Sequence, residues 1–555
     1  MFKMIRRCLP LEQAMQQSTT TTTTCDVIIV GLGPTGAVLA NLLGRYGWSV
    51  IGLERDEDLY YAPRAVHFDD EIMRIFQSAG LADDIGRTSE SFTDMEIILR
   101  PGRKPVTRSR IGSQDRRYGH PGAWWFHQPT LERHFHDGLK RYPNITSVYG
   151  CRVTGVEQDA EGVRATAVQR DGRERVFQGR YLIGCDGGKS FVRREAGLHL
   201  ESADFDEAWV VVDTKTRSGE KDALLPANHS QVCNPAQPVT YVPMAGPYYE
   251  WQFMVTGGKS EREATDPYLV RQQLRDFVDL DKIEITRIAY YKFHGLWAND
   301  WRNGRIILAG DSAHQMPPFL GQGMCSGVRD ASSLCWRLDM VLRGAAQEKL
   351  FDDYEAERSA HVREIINGAM FLGNVIQTRH RGVAFLRDWL LFRIAGMLPF
   401  ANKAFADKAN RKKPLAAGFC GWGHRLSGHL ALQPKVLREE QGERVLLDEA
   451  LGHGFALLAR RGCLDSQHAQ LERLAQQVDL RVLEFAEDPT SPVLGDPTGA
   501  LQDWFDEADM DFVLIRPDRY VFDAGHADQL GRVAERFLAG LSLVRHSNQT
   551  QGVAA

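Results

Sequence analysis

Paired cysteines are missing from this chain. Its nine cysteines include no CxxC and no zinc-ligand spacing, which excludes a zinc ribbon and dithiol exchange and points to a reducing compartment with buried thiols. No apolar run reaches the roughly 18 residues that a membrane helix needs. The nearest, LRDWLLFRIAGMLPF from Leu386, contains charges and reads as a buried or interfacial helix. Excess positive charge is missing too. The formal net charge is -5, which argues against nucleic acid as a main partner. Arg6 and Arg7 are followed by no apolar run of signal-peptide length, so a cytoplasmic protein is expected. No cluster of His, Asp and Glu suggests a metal, and none is expected.

What is present is globular: 555 residues, 43% hydrophobic, 25% charged. That is too long for one core, so two or three domains are expected. The low-complexity stretch QQSTTTTTTC reads as part of a disordered arm over residues 1–24.

The most informative stretch is CDVIIVGLGPTGAVLANLLGRYGWSVIGLERD, Cys25 to Asp56. A buried strand over Val27 to Val30 enters the glycines Gly31, Gly33 and Gly36. The first suits a tight turn, the second a close approach to a pyrophosphate, the third close helix–strand packing. A helix from Pro34 to about Tyr46 aims its free amides, Thr35 among them, at the phosphates. A second strand ends at Glu54, placed for a ribose diol, with Arg55 after it. Together these predict a bound adenine dinucleotide, and NAD and FAD both fit.

A distant stretch, NGRIILAGDSAHQMPPFLGQGMCSGVRDASSLCWRLDMVLRG, decides between them. A strand over Arg305 to Ala309 ends at Gly310-Asp311, which suits a ribityl or pyrophosphate contact. Gly321, Gly323 and Gly327 leave room for an isoalloxazine edge. The helix expected from Ser326 onward, just past Met324, turns its first amides toward the flavin pyrimidine. A nicotinamide dehydrogenase needs no such second clamp, so FAD is the expected cofactor.

GLGPTG, LIGCDGGKSFVRREAG and GRIILAGDSAHQMPPFLGQG, in that order, resemble the group A aromatic flavoprotein monooxygenases, from about Cys25 to Gly368. Within that family the likeness runs toward members acting on hydroxyphenylpropionates. The resemblance implies a Rossmann-like FAD domain (GR2, p-hydroxybenzoate hydroxylase-like), a mixed-sheet substrate domain and a thioredoxin-like C-terminal domain, an α/β protein throughout. It assigns Asp311 to the FAD ribityl chain, Asp186 to indirect support of FAD and the reductant surface, and Gln128 to FAD contact. Arg193 completes the DGxxSxVR pattern. Arg64, in the PRA segment, approaches the cofactor. Pro318 lies by the hydroxylated ring, and His67 faces the substrate end, where it is bulkier than the family's residue. Asp69-Asp70 reads as a helix cap with early-turn acids.

The expected domains are an FAD domain over 25–202, a substrate sheet over 203–291, a return to the FAD domain over 292–400, a basic linker over 401–433 and a C-terminal module over 434–555. Tyr241, Met244, Trp251 and Phe253 are expected to line the pocket. With all flavin motifs upstream, the FAD site is expected to form without the C-terminal module, whose role is packing or oligomerisation, including a homodimer. The activity implied is NADH- or NADPH-driven hydroxylation of a phenolic acid with O₂, through a flavin hydroperoxide, with His67, Tyr241 or His294 as proton partner. The rivals are hydroxylation of another phenol, such as resorcinol or a polyketide-like aromatic, an oxidase or dehydrogenase, and a non-catalytic FAD-bound scaffold.

Overall fold

Val27–Val30 stands in the middle of a six-stranded sheet, wholly buried. It pairs in parallel with Val50–Leu53 on one side and Tyr181–Gly184 on the other. Ile145–Val148 and Ile306–Leu308 extend the sheet in parallel, and Arg302–Asn303 closes one edge. The four inner strands are apolar runs covered on both faces, as a parallel sheet requires. The structure is a computed structural model that describes residues 22–59, 65–110, 116–222, 225, 227–394, 412–438, 442–486 and 493–543.

Residues 22–24 are not part of a disordered arm. Thr22–Thr24 is a strand parallel to Glu174–Gly179, in a small sheet with Val163–Gln169 and Cys151–Gln158. Three β-branched residues in a row suit a strand. The rest of the expected arm lies outside the described residues.

The second large sheet has eight strands and exceeds the expected 203–291. Its centre is the pair Leu200–Thr216 and Ile283–Ala298, of 17 and 16 residues. Tyr248–Met254, Val239–Pro243 and His229–Val232 follow outward, then Asp94–Ile98 and Thr107–Arg110, donated from inside the first domain. Both faces of its middle are buried. One face lies under the helix Pro267–Arg275, where Tyr241, Trp251 and Phe253 share a cluster with Val270 and Leu274. The opposite face meets the first domain: Trp209 packs edge-on against Phe319 at 5.8 Å, and Val242 joins Phe92 and Trp125.

The C-terminal region forms a seven-stranded sheet. Phe455–Arg460 is parallel to Leu480–Ala486 and antiparallel to Phe512–Ile515, which is antiparallel to Val521–Gly525. One of its cores includes Trp336 and Leu350 from the upstream helices Gly323–Leu342 and Leu350–Ile376. Of the buried or interfacial helix expected from Leu386, the described residues expose Leu386, Trp389 and Leu390, which excludes only the buried form.

Candidate functional site

The glycines of the first motif divide their work as steric packing dictates. A Cβ on Gly31, whose φ is +95°, would lie 2.4 Å from the Cys185 carbonyl oxygen. A Cβ on Gly36 would lie 2.0 Å from the Gly31 carbonyl oxygen. Gly33 has nothing within 4 Å, so its surface is open to a ligand. The helix Pro34–Arg45 begins there with no side-chain cap and with Pro34 in its first turn. Its leading amides therefore face the same opening, an anion-binding arrangement. Glu54 closes the motif: its Oε2 accepts the Leu32 amide at 2.9 Å and its Oε1 the Asp56 amide at 3.1 Å. Beyond it Arg55, Asp56, Glu57, Arg152 and Arg170 line a groove of about 770 Å³.

The second and third motifs converge on the same place. Gly310 has a φ of +65°, and the Thr35 hydroxyl fills the space a side chain would take both there and at Gly327. Asp311 follows at the strand end with its side chain exposed. The helix Gly323–Leu342 also starts without a side-chain cap, so the amides of Gly323 and Met324 have no protein side chain on them. Two uncapped helix starts, an open glycine and an exposed carboxylate between them fit FAD: anionic pyrophosphate at one helix, polar flavin edge at the other, hydroxyls at Glu54 and Asp311.

Asp186 is turned away from this opening. It accepts the amides of Phe191 and Val192 at 2.6 and 3.1 Å, capping the helix Phe191–Glu195. Arg193 on that helix donates to the Ser312 carbonyl at 2.7 Å and the Gly188 carbonyl at 3.0 Å, tying the second motif to the third. Gln128 starts the helix Gln128–Leu139; its Oε1 takes the Ala65 amide at 2.9 Å and its Nε2 donates to Glu132 at 2.6 Å. It thus fixes the chain just after Arg64, which itself lies outside the described residues.

His67 borders the opening on the substrate side. Its ring meets Phe92 edge-on at 5.5 Å, and Gly321, with φ +61°, comes so near that a Cβ there would lie 3.0 Å from Nδ1. Burial pushes its imidazole down to about 4, and that of neighbouring His229 to about 3. Pro318 heads the short turn Pro318–Leu320, and its carbonyl accepts the Gly321 amide at 2.8 Å. Tyr241 is not with them. Successive strand residues point to opposite faces, so Val242 faces Phe92 while Tyr241 is buried under the Pro267–Arg275 helix, its ring tilted against Trp251 at 4.3 Å. Trp251 and Phe253 share its position, so the expected aromatic pocket floor is the far side of the sheet. His294 lies at the end of a long strand, paired with exposed Asp206.

Sequence reasoning missed three features here. Asp330, wholly buried, accepts the Gly310 amide at 3.0 Å, His314 Nε2 at 2.7 Å and Arg358 Nε at 2.7 Å. Burial opposes its charge, yet His314 and Arg358 hold it down at about 2. Asp69 caps the helix Asp70–Ser78 as expected, but it also pairs with Arg329 at 2.6 Å and with Lys412 at 3.1 Å. Finally, the sheet face toward the opening is polar: Gln231, Thr240, Asp213 and Glu250 are all buried on it. The signal for Asp330 was its place two turns into the helix that begins at Gly323, one face of which reaches back to the Gly310 turn.

The comparisons agree with this geometry. Residues 24–369 match the family model described as FAD binding domain, and residues 428–540 the HcaD C-terminal domain. The chain is 32% identical over 545 residues to a 3-(3-hydroxy-phenyl)propionate/3-hydroxycinnamic acid hydroxylase of Mycolicibacterium gilvum (strain PYR-GCK), covering 95% of this chain and 94% of that protein. It is 34% identical over 525 residues to a probable NADH-specific resorcinol 4-hydroxylase of Rhodococcus jostii (strain RHA1), covering 94% and 96%. In fold it is similar to the flavin-dependent monooxygenase PieE, solved with FAD and substrate, at a TM-score of 0.81 and 21% identity over 94% of this chain and 99% of that one.

Proposed function

The chain belongs to the group A FAD-dependent aromatic monooxygenases, and from that premise we propose that it hydroxylates a 3-(3-hydroxyphenyl)propionate-type acid beside its existing ring hydroxyl. It is an FAD- and NAD(P)H-dependent aromatic ring hydroxylase acting on a phenolic substrate with O₂. The finer reading rests on one observation: the likeness to relatives named for 3-(3-hydroxyphenyl)propionate and 3-hydroxycinnamic acid extends over nearly the whole chain, C-terminal region included.

In this reading Gly31, Gly33, Pro34, Thr35 and Gly36 take the pyrophosphate, Glu54 the ribose, with Arg55 beside it, and Asp311 the ribityl hydroxyls. Gly321, Gly323 and Met324 present backbone to the flavin. Arg64 and Gln128 shape the cofactor's other flank, and Asp186 acts through Arg193 by holding its helix. FAD, when bound and reduced by NAD(P)H, supplies the activated oxygen. The protein's own part is positioning and water exclusion. Phe319, Trp209, Phe92 and Trp125 wall the ring space, and His67, kept neutral by burial, bounds its depth. We read the C-terminal region as a thioredoxin-like domain whose role, without a CxxC, is structural.

The test is product identification. 3-(3-Hydroxyphenyl)propionate, its cinnamate analogue, resorcinol and plain phenylpropionate are each incubated with enzyme, NADH and O₂, and product is compared with NADH consumed. Coupled product from the first two supports the reading. The second reading, resorcinol, is favoured by His67, whose ring shortens the pocket; coupling with resorcinol alone would replace the first.

A further inference from the structure

The hydroxylase reading leaves open which group handles the phenolic proton, and the polar sheet face answers it. Val242, Glu250, Asp213 and Arg287 are register neighbours across four strands. Gln231, Thr240 and Gln252 form the next row. These rows lie between two aromatic walls: Phe319 with Trp209 and Phe205 on one side, Phe92 with Trp125 and Val242 on the other. A flat phenol held between those walls lies against this face.

Most of the polar groups here are already committed. Gln231 joins His229 to Thr240, at 3.0 and 2.7 Å. Arg287 pairs with Asp213 and donates to the Tyr291 hydroxyl at 2.7 Å. Glu250 differs. Gln252 donates to its Oε1 at 2.6 Å, and among the described residues Oε2 receives no hydrogen bond, although Glu250 is only 2% exposed.

We propose that Glu250 holds the ring hydroxyl of the substrate and takes its proton as the new carbon–oxygen bond forms. The phenol O–H bond breaks toward Oε2, and its electron pair moves into the ring. The neighbouring ring carbon bonds the oxygen supplied through FAD and O₂. That carbon then releases its own proton, and Glu250 returns the one it took to the ketone oxygen, restoring the aromatic ring. The ring loses two electrons, NAD(P)H supplies two more, and the second oxygen atom leaves as water.

The electrostatics suit the task. Burial, then the nearby Asp213 carboxylate, raises the Glu250 carboxyl to about 8. A phenol ionises near 10, so transfer to this carboxylate is uphill by roughly two powers of ten, against roughly six for an ordinary glutamate. Glu250 acts as base only when ionised, so activity rises with pH through that value. The other titratable groups nearby are Asp213, Arg287 and Tyr291 on the central strands and His229 and His67 beyond Val242; burial keeps both histidines neutral at that pH.

The experiment compares wild type and Glu250→Gln, both loaded with FAD, using 3-(3-hydroxyphenyl)propionate and NADH from pH 6 to 9. The variant is expected to keep its FAD, to lose roughly 100-fold in kcat with little change in KM, and to lose the rise near pH 8. Binding is also followed by ultraviolet difference spectroscopy without NADH. Wild type and variant should both bind the substrate as the neutral phenol, because transfer to Glu250 is uphill until the new bond forms. A phenolate band in the resting wild-type complex, or a variant with the wild-type pH profile, overturns the role of Glu250, while product formation by wild type leaves the hydroxylase reading standing. A wild type that hydroxylates none of the four aromatics in the panel overturns the substrate reading itself.

Discussion

Asp448 holds Arg74 in a two-pronged ion pair: Nε and one terminal nitrogen each lie 2.6 Å from a carboxylate oxygen, with both side chains buried. Arg74 is on the helix that Asp69 caps; Asp448 is in the C-terminal region. The Tyr520 hydroxyl donates to Glu71 at 2.7 Å, Arg516 pairs with Glu357 at 2.8 Å, and Trp336 donates to Asp518 at 3.0 Å. The sequence suggested a module separable from the cofactor site; these contacts join them.

A chain ending at Gln433 is therefore expected to aggregate rather than yield a flavin-loaded core. Cutting there takes Asp448 from Arg74, the Tyr520 hydroxyl from Glu71 and Arg516 from Glu357, and breaking a buried ion pair such as Arg74–Asp448 costs about 3–5 kcal/mol. Size-exclusion chromatography and the flavin spectrum of the purified fragment check this. A monodisperse yellow fragment would sink it.

Asp330→Asn is expected to lower the thermal midpoint and the FAD content together. The amide cannot serve the Gly310 N–H, His314 and Arg358 alike, and Arg358 is left charged and buried, at a cost of about 3–5 kcal/mol. Melting curves and flavin per chain report the two effects. Lost flavin with an unchanged melt would mean that Asp330 acts on the cofactor alone.

Asp311→Ala should behave in the opposite way. Its side chain is exposed at the end of the strand Ile306–Leu308, so removal costs little burial but forfeits a hydrogen bond from FAD. At about 1.5–3 kcal/mol, FAD should bind roughly 10- to 150-fold more weakly, read by titrating apoprotein. Wild-type affinity would reject the assignment.

Acid should destabilise the substrate side first. His67 and His229 have folded values of about 4 and 3, below the roughly 6.5 of an unfolded histidine. A depressed histidine favours the fold fully above about 6.5, and this is lost as pH falls toward the folded value, because only the unfolded chain takes the proton. Thermal midpoints should fall between pH 6.5 and 4, and His229→Gln should flatten part of that slope. A variant with the full wild-type slope would show that His229 contributes nothing.

The nucleotide strand, its glycines and the acid at its end were legible because each acts on neighbours a few residues away. The strand Ile306–Leu308 and the helix that begins at Gly323 were legible for the same reason. Tyr241 was misread because a strand buried on both faces shows its period but not which side meets the cofactor. The polar face, with Glu250 opposite Asp213, was hidden by the aromatic residues alternating with it. Asp330, Lys412 and the strand Asp94–Ile98 escaped notice because their partners are remote in sequence.

The Thr35 hydroxyl occupies the room that both Gly310 and Gly327 leave, which makes three distant positions one evolutionary unit. An alanine at Gly327 is forbidden while threonine stands at 35 and gains room once 35 itself is small, whereas Gly310 is held to glycine by its φ of +65° as well. Substitutions there are therefore order-dependent: the same pair of changes is passable by one mutational route and closed by the other. A library that varies these sites singly will call Gly327 invariant, although what is constrained there is its volume summed with that of residue 35.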